Sequence, residues 1–477
     1  MNESKINNIV FTIFPFVILI ILLGLNLFLF DNAMKGPNQL ALIISALIGF
    51  WISNLRGSKN YEIINGIKDS ILSSLNAIII LCIIGGLTST WILSGVVPAM
   101  IYYGIELINP NFFLFTSCII CAIVSISTGS SWTTAATIGI AFISIGELLG
   151  VSKGLIAGAI ISGAYFGDKM SPLSETTNLA PSVSGSNLIE HIKYMTYTTI
   201  PTILITLLLF FIIGLKSKKP SVSLDEIETF LEIINTKFYV GIELFILPLI
   251  IFFLIMLKCS AQKTLFIAMI AGIIFAFIFQ KELIQEINLS SGSNTLSTIL
   301  KTIFLGTNIP IDNISISNLL SKSGVFGMFW IVILVISAMI FGGVMHSGRF
   351  LKKITDLILS NSASNFKLIR STASSCVFFN FATCDQYLAI VIPGRMFKEV
   401  YQDNDLHPTN LSRTIEDTGT VTSVLIPWNS CAAYHAEILS INPLSYIPYC
   451  FFNIISPFMT LFYAYCKIKI KKNEIKK

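Results

Sequence analysis

The chain has 477 residues, 54% hydrophobic and 12% charged, with a formal net charge of +5 and a mean hydropathy of +0.78. Soluble domains carry about 25% charged residues, so a charge content near half that value excludes a water-soluble globule. The small basic excess lies in short loops and the C-terminal tail, where membrane orientation accounts for it, and no nucleic-acid partner is implied.

In chain order, apolar stretches of roughly 18–25 residues, the length of a membrane span, read as helices. They fall near 9–30, 38–55, 70–93, 111–146 (interrupted), 152–180 and 192–214. The second half runs 241–258, 262–279, 324–346, 366–397 (interrupted), 409–436 (interrupted) and 443–466, with extra polar residues between 282 and 322. The run from Ile9 to Phe30 is too long, and lacks a small-residue cleavage site, for a removable signal peptide. Nine cysteines lie mostly in apolar stretches, and Cys118 and Cys121 form a CxxC with no second pair nearby. They read as small packing residues rather than a zinc or redox centre.

The two halves correspond. Ser94-Gly95 matches Ser347-Gly348, Gly129-Ser130 falls opposite Cys384-Asp385, and Trp132 falls opposite Tyr387. The expected division is a first transmembrane repeat at 1–214, an extramembrane linker at 215–240, a second repeat at 241–466 and a basic tail at 467–477. If 111–146 and 366–397 are hairpins that enter and leave on one side, each repeat crosses an odd number of times and the repeats are inverted. The fold class is therefore an all-α polytopic membrane protein of two inverted repeats, each with a re-entrant hairpin and a discontinuous helix, about ten crossings plus two hairpins. An N-terminus inside puts Arg56, Lys59, Lys68, Arg349, Lys352, Lys353, Lys367, Arg370, Arg395, Lys398 and the tail in the cytoplasm. The Lys/Arg-free loop 94–110 and the charge-balanced linker, where Lys216, Lys218, Lys219 and Lys237 meet Asp225, Glu226, Glu228 and Glu232, then lie outside. Both termini are expected in the cytoplasm of a cell whose inner membrane holds the chain.

Two regions are too polar for their surroundings: GAYFGDKMSPLSETTNLAP (Gly163–Pro181), and FNFATCDQYLAIVIPGRMF (Phe379–Phe397) followed by EDTGTVTSVLIPWNS (Glu416–Ser430). Unwound backbone inside a bilayer must be buried in protein or line a watery cavity, and an intramembrane carboxylate marks an ion or proton path. Asp168 and Glu175 stand seven residues apart, two helical turns, but Pro172 and the flanking Ser171, Ser174, Thr176, Thr177 and Asn178 argue for a broken helix whose oxygens suit Na⁺. Lys169 could neutralise Asp168 or snorkel to the interface. Asp385 has no basic residue within nine positions and is the leading candidate for a proton- or cation-binding carboxylate. Glu416 and Asp417 follow, with Arg413 placed to form an i,i+4 pair with Asp417. Supporting oxygens are expected from Ser130, Ser131 and Thr133 in SISTGSSWTTAATIG, and from Thr383, Thr420, Thr422, Ser423, Asn429 and Ser430; the first of these strings could equally be a small-residue packing seam. His346 reads as interfacial, His435 and Glu437 as solvated residues near the outer surface, and Arg395 as an inner anchor that could alternatively hold a substrate carboxylate. No HExxH or GxxxxGK[ST] string occurs, so neither a zinc-dependent membrane protease nor an ATP-driven pump is supported, and no cofactor is expected.

GAYFGDKMSPLSETTNLAP, GSSWTTAATIGIA, ATCDQYLAIVIPGRMF and RTIEDTGTVTSVLIPWNS, in that order, resemble the NhaC family of Na⁺/H⁺ antiporters within the ion-transporter superfamily. The resemblance implies two inverted repeats whose hairpins and discontinuous helices form a transport domain moving against a scaffold. This chain departs from the family at Glu175, where an aspartate is common, and at Gly129-Ser130-Ser131-Trp132, where a GTSW-like string is common. The expected activity is exchange of Na⁺ for H⁺, because burial favours a protonated carboxylate and a bound cation favours an ionised one. The alternative is a Na⁺- or H⁺-coupled exchanger of small organic acids like malate and lactate, which the family also contains. The surrounding partners are membrane lipids, and a homodimer is expected by analogy with related folds.

Overall fold

The computed structural model describes residues 9–473 apart from 31–34, 108, 217–223, 258, 308, 312–319, 321–323, 352 and 354–363. The orientation argument drawn from Lys218, Lys219, Lys352 and the end of the tail therefore falls outside the described residues, as do the side chains of Asp225 and Glu226.

The described chain is helical, with one isolated bridge between Leu406 and Lys472. The first half comprises α1 (Ile9–Leu29), α2 (Pro37–Leu55), α3 (Asn60–Ser73), α4 (Leu75–Leu93), α5 (Val96–Leu107) and α6 (Phe113–Thr128). It continues through α7 (Ser131–Thr134), a π-helical turn (Ala135–Gly139), α8 (Ile140–Leu148), α9 (Lys153–Met170), α10 (Glu175–Ser184) and α11 (Leu188–Lys216). After α12 (Leu224–Lys237) come α13 (Ile246–Met256), α14 (Ala261–Phe279), α15 (Lys281–Ser291), α16 (Thr295–Leu305), α17 (Gly324–Gly327) and α18 (Phe329–Ser347). The last part holds α19 (Asn365–Thr383), α20 (Gln386–Asp403), α21 (Pro408–Ile415), a second π turn (Glu416–Thr420), α22 (Ser430–Ile438), α23 (Pro443–Tyr446) and α24 (Phe451–Tyr465).

These elements follow the apolar stretches because a helix satisfies its own backbone where no water can. Five described helices are long and apolar enough to cross a membrane, and up to eight if each bent pair is one span. That pattern makes the chain an integral membrane protein of several spans. Three stretches read from sequence as connections are helical instead. Loop 94–110 contains α5, which meets α4 at a 65° bend and buries Val96, Val97, Ala99 and Ile101. Linker 215–240 contains α12, whose Phe230 and Ile234, with Phe238 just past its end, recur at four-residue spacing and are buried. The polar region 282–322 contains α15 and α16, which bury Leu283, Ile284 and Ile287 and then Thr298, Ile299 and Thr302. In α12, α15 and α16 a narrow apolar stripe was masked by polar neighbours, whereas α5 (VVPAMIYYGIEL) is apolar but short.

Small residues set the closest approach. On α9, a Cβ at Gly163 would stand 2.1 Å from the Cys118 carbonyl oxygen, and one at Gly167 would stand 2.4 Å from that of Ala122. α6 and α9 therefore touch backbone to backbone, and Ser125 Oγ donates to the Ala164 carbonyl at 2.6 Å. This contact places the break after α6 beside the break after α9.

Candidate ion-binding site

Four helix interruptions meet around one cavity, each closed by a side chain accepting a hydrogen bond from the helix it starts. Gly129 is left-handed (φ 68°) and Ser130 Oγ accepts from Thr133 N–H at 3.2 Å. Cys384 is likewise left-handed (φ 58°), and Asp385 Oδ1 accepts from Leu388 N–H at 2.9 Å. Ser174 caps α10 through Thr177 N–H, and Asn429 caps α22 through Cys431 N–H at 3.0 Å. The breaks touch in pairs. A Cβ at Gly129 would lie 2.7 Å from Leu173 backbone, so only glycine allows both the turn and this approach. Opposite it, Ser430 N–H donates to the Cys384 carbonyl at 3.0 Å. Across the cavity, Trp132 stacks on Tyr434 with ring centroids 4.0 Å apart, and Tyr434 Oη donates to the Trp132 carbonyl.

The cavity has a volume of about 660 Å³ and is lined by Asp168, Glu175 and Asp385, together with Ser130, Ser131, Thr133, Ser174 and Thr176. Asp168 Oδ2 accepts from both Ser131 N–H (3.1 Å) and Ser131 Oγ (2.7 Å), which binds the end of α9 to the start of α7. Glu175 is exposed and receives the Tyr387 hydroxyl. Asp385 is 7% exposed and is held only by backbone N–H at the start of α20. Among the described residues, no three carboxylate, histidine or cysteine side chains converge as a metal centre. A cation at any one acid would therefore complete its shell from neutral oxygens.

The other two acids lie elsewhere. Asp417 is fully buried on the second π turn, in an ion pair with Lys169, and also receives Thr460 Oγ1 and, at 2.8 Å, Thr198 Oγ1. Lys169 thus neither pairs with Asp168 nor snorkels; Ser456 Oγ (3.3 Å) and the Phe452 ring complete its surroundings. The i,i+4 pair with Arg413 is absent: the fully buried guanidinium lies over the Tyr194 ring, 4.4 Å from its centroid, and none of its nitrogens has a hydrogen-bond partner. Neither Glu416 carboxylate oxygen has one either, nor has Thr420 Oγ1.

Among the remaining oxygens, Ser171 accepts from Leu173 N–H, and Thr177 and Asn178 close the α9–α10 break by donating to Asp168, Lys169, Pro172 and Ser174 carbonyls. Thr383 Oγ1 donates to the Phe379 carbonyl, Thr422 Oγ1 to that of Thr418, and Asn429 Nδ2 to that of Asn380. These brace the breaks rather than line the cavity. His435 is buried, not solvated: Nδ1 meets the Cys431 carbonyl at 2.8 Å, a contact its place inside α22 imposes. His346 and Arg395 are exposed at their helix surfaces.

Sequence reasoning missed the wall facing the acids, formed by Ser74, Asn76, Ser260, Gln262 and Thr264 at the starts of α4 and α14. It also missed Gln386, the first residue of α20. The polar onset of two apolar helices was the available signal for the wall, and adjacency to Asp385 was the signal for Gln386.

A profile of the Na⁺/H⁺ antiporter family matches residues 163–468, which hold three of the four breaks. The chain belongs to that family. Its relatives include the Na⁺/H⁺ antiporter NhaC of Alkalihalophilus pseudofirmus, 34% identical over 92% of this chain and 91% of the relative. A malate-2H⁺/Na⁺-lactate antiporter of Bacillus subtilis is 33% identical over 94% of each chain. The arginine/ornithine antiporter ArcD of Halobacterium salinarum is 34% identical over 84% of this chain and 80% of its own.

Proposed function

We propose that the chain exchanges Na⁺ for H⁺ across the cytoplasmic membrane, with Asp385 and Asp168 as the carboxylates for which the two ions compete. The observation that carries this reading is Asp385, an acid beside a cavity, almost wholly withdrawn from solvent and without a cationic partner. A buried carboxylate in that setting must be neutralised by a proton or a bound cation. Neutral oxygens of Ser130, Ser131, Thr133, Ser174 and Thr176 supply further ligands, and exchange follows if only the loaded site changes its facing side. The matching left-handed breaks at Gly129-Ser130 and Cys384-Asp385 support reading 1–214 and 241–466 as inverted repeats with two re-entrant hairpins and about ten crossings. The count of Lys and Arg in short loops supports cytoplasmic termini.

A second exchanged species is favoured by the cavity itself. About 660 Å³ falls within the range of small-molecule sites, roughly 300–1,000 Å³. The organic-acid alternative lacks a counter-charge: neither Lys nor Arg is among the lining residues. The helix starts that could hold a carboxylate have N–H groups already bonded to Ser130, Ser174, Asp385, Asn429 and Asp168. A solute carrying an ammonium group suits this lining better than malate or lactate.

The test is uptake of ²²Na⁺ into proteoliposomes under an imposed pH gradient, with lysine, putrescine, malate and lactate as competitors. Uptake driven by the gradient, abolished by Asp385→Asn and competed by the two amines, is expected. Normal uptake in Asp385→Asn refutes the site. Competition by malate or lactate alone refutes the choice of solute.

A further inference from the structure

Gln386 is 7% exposed, lines the cavity next to Asp385, and takes no part in the reading above. Its side-chain oxygen, as placed, faces Ser423 Oγ at 3.1 Å and Cys431 Sγ at 2.9 Å. Among the described residues its amide nitrogen meets no hydrogen-bond partner. Ser423 has a single hydroxyl proton, and of its two acceptors the Thr420 carbonyl at 2.7 Å is nearer than the Gln386 oxygen at 3.1 Å. That leaves Ser423 Oγ as an acceptor toward Gln386, with Tyr165 Oη 3.4 Å away on another side. An amide oxygen set against an accepting hydroxyl is repulsive, and among the described residues the two N–H groups of the amide meet no acceptor.

Rotating the amide by 180° resolves both faults, since its oxygen and nitrogen are interchangeable in shape. The two N–H groups then meet two acceptors, Ser423 Oγ and the weakly accepting Cys431 Sγ. The carbonyl oxygen takes the nitrogen's former place, in a residue that lines the cavity. We infer that Gln386 presents this oxygen as a cation ligand beside Asp385, fixed in orientation by Ser423 and Cys431. The inference rests on Asp385 being the cation-binding carboxylate. It adds a neutral hard oxygen to a carboxylate, a donor set that suits an alkali cation. It also gives Cys431 and Ser423 a role as positioning residues that act through Gln386.

Direct binding separates this role from packing. Na⁺-induced thermal stabilisation of the purified full-length protein, titrated with NaCl against choline chloride, reads the dissociation constant without transport. Gln386→Leu should raise it at least tenfold while leaving the melting temperature without Na⁺ within a few degrees of the parent. Gln386→Glu keeps an oxygen at the same place and should bind Na⁺ within threefold of the parent. A residue that merely packs would give the opposite order, because a carboxylate against Ser423 and Cys431 disrupts more than leucine does. Ser423→Ala, which leaves Gln386 but frees its amide, should raise the constant about threefold and serves if Gln386→Leu fails to fold. Parent-like Na⁺ binding in Gln386→Leu, or equal loss in Gln386→Glu, overturns the assignment. Parent-like binding in Asp385→Asn would instead overturn the site on which it rests.

Discussion

Removing Asp417 alone should be far more damaging than removing it together with Lys169. Both side chains are 0% exposed, so Asp417→Asn leaves a buried ammonium without its paired carboxylate, beside Ser456 Oγ and the Phe452 ring. Breaking a buried pair by deleting one partner costs about 3–5 kcal/mol, whereas replacing both by apolar groups of similar volume is often neutral. Over 477 residues, about 2.1 cal/mol/K per residue gives an unfolding entropy of about 1 kcal/mol/K. The single variant should therefore melt about 3–5 °C lower. Helices persist in unfolded membrane proteins, which lowers that entropy and makes the shift larger. The assay is thermal denaturation of detergent-purified protein followed by size-exclusion chromatography. Lys169→Met with Asp417→Leu should recover most of the loss and retain Na⁺-induced stabilisation, since neither residue lines the cavity, although Lys169 shares α9 with Asp168. A double variant no more stable than Asp417→Asn would refute the pair's structural role, and loss of Na⁺ binding in a stable double variant would return Asp417 to the ion site.

Two further outcomes follow from packing and exposure. Gly167→Ala forces a methyl to within 2.4 Å of the Ala122 carbonyl oxygen and 2.5 Å of Ser125 Cβ, so overpacking should cost about 1–3 kcal/mol; Gly24→Ala, with nothing within 4 Å, should be neutral or slightly stabilising in the same melting assay. Glu190 pairs with Lys471, but both side chains are more than a third exposed, so Glu190→Gln should change stability by less than about 1 kcal/mol. The tail should stay docked through its backbone bonds, Lys471 to His407 and Asn473 to Asp405, as checked by limited proteolysis.

The long apolar helices, their order and the positions of the four breaks were legible in the sequence, because apolar length, proline, glycine and clustered hydroxyls act locally, whereas α5, α12, α15 and α16 were not. Gly129 opposite Cys384 shows this: the aligned pair both adopt left-handed backbone, and Ser130 and Asp385 both cap the next helix. Asp168 and Asp385 stood out for the same reason, as acids in segments that should not contain them. Charge partners were not legible. Lys169 has an acid beside it in sequence but finds Asp417, 248 residues away. Arg413 sits one turn from Asp417 and finds the face of Tyr194 instead. The side of a broken helix that a residue presents depends on how the segments on either side of the break turn, and that is fixed by contacts such as Gly163 and Gly167 against α6. Sequence alone determined that carboxylates interrupt membrane helices, since bilayer energetics act on each segment separately. Tertiary structure decided which of them face a cavity and which are neutralised in the core, because a buried charge takes its partner from whatever element packing brings within bonding distance.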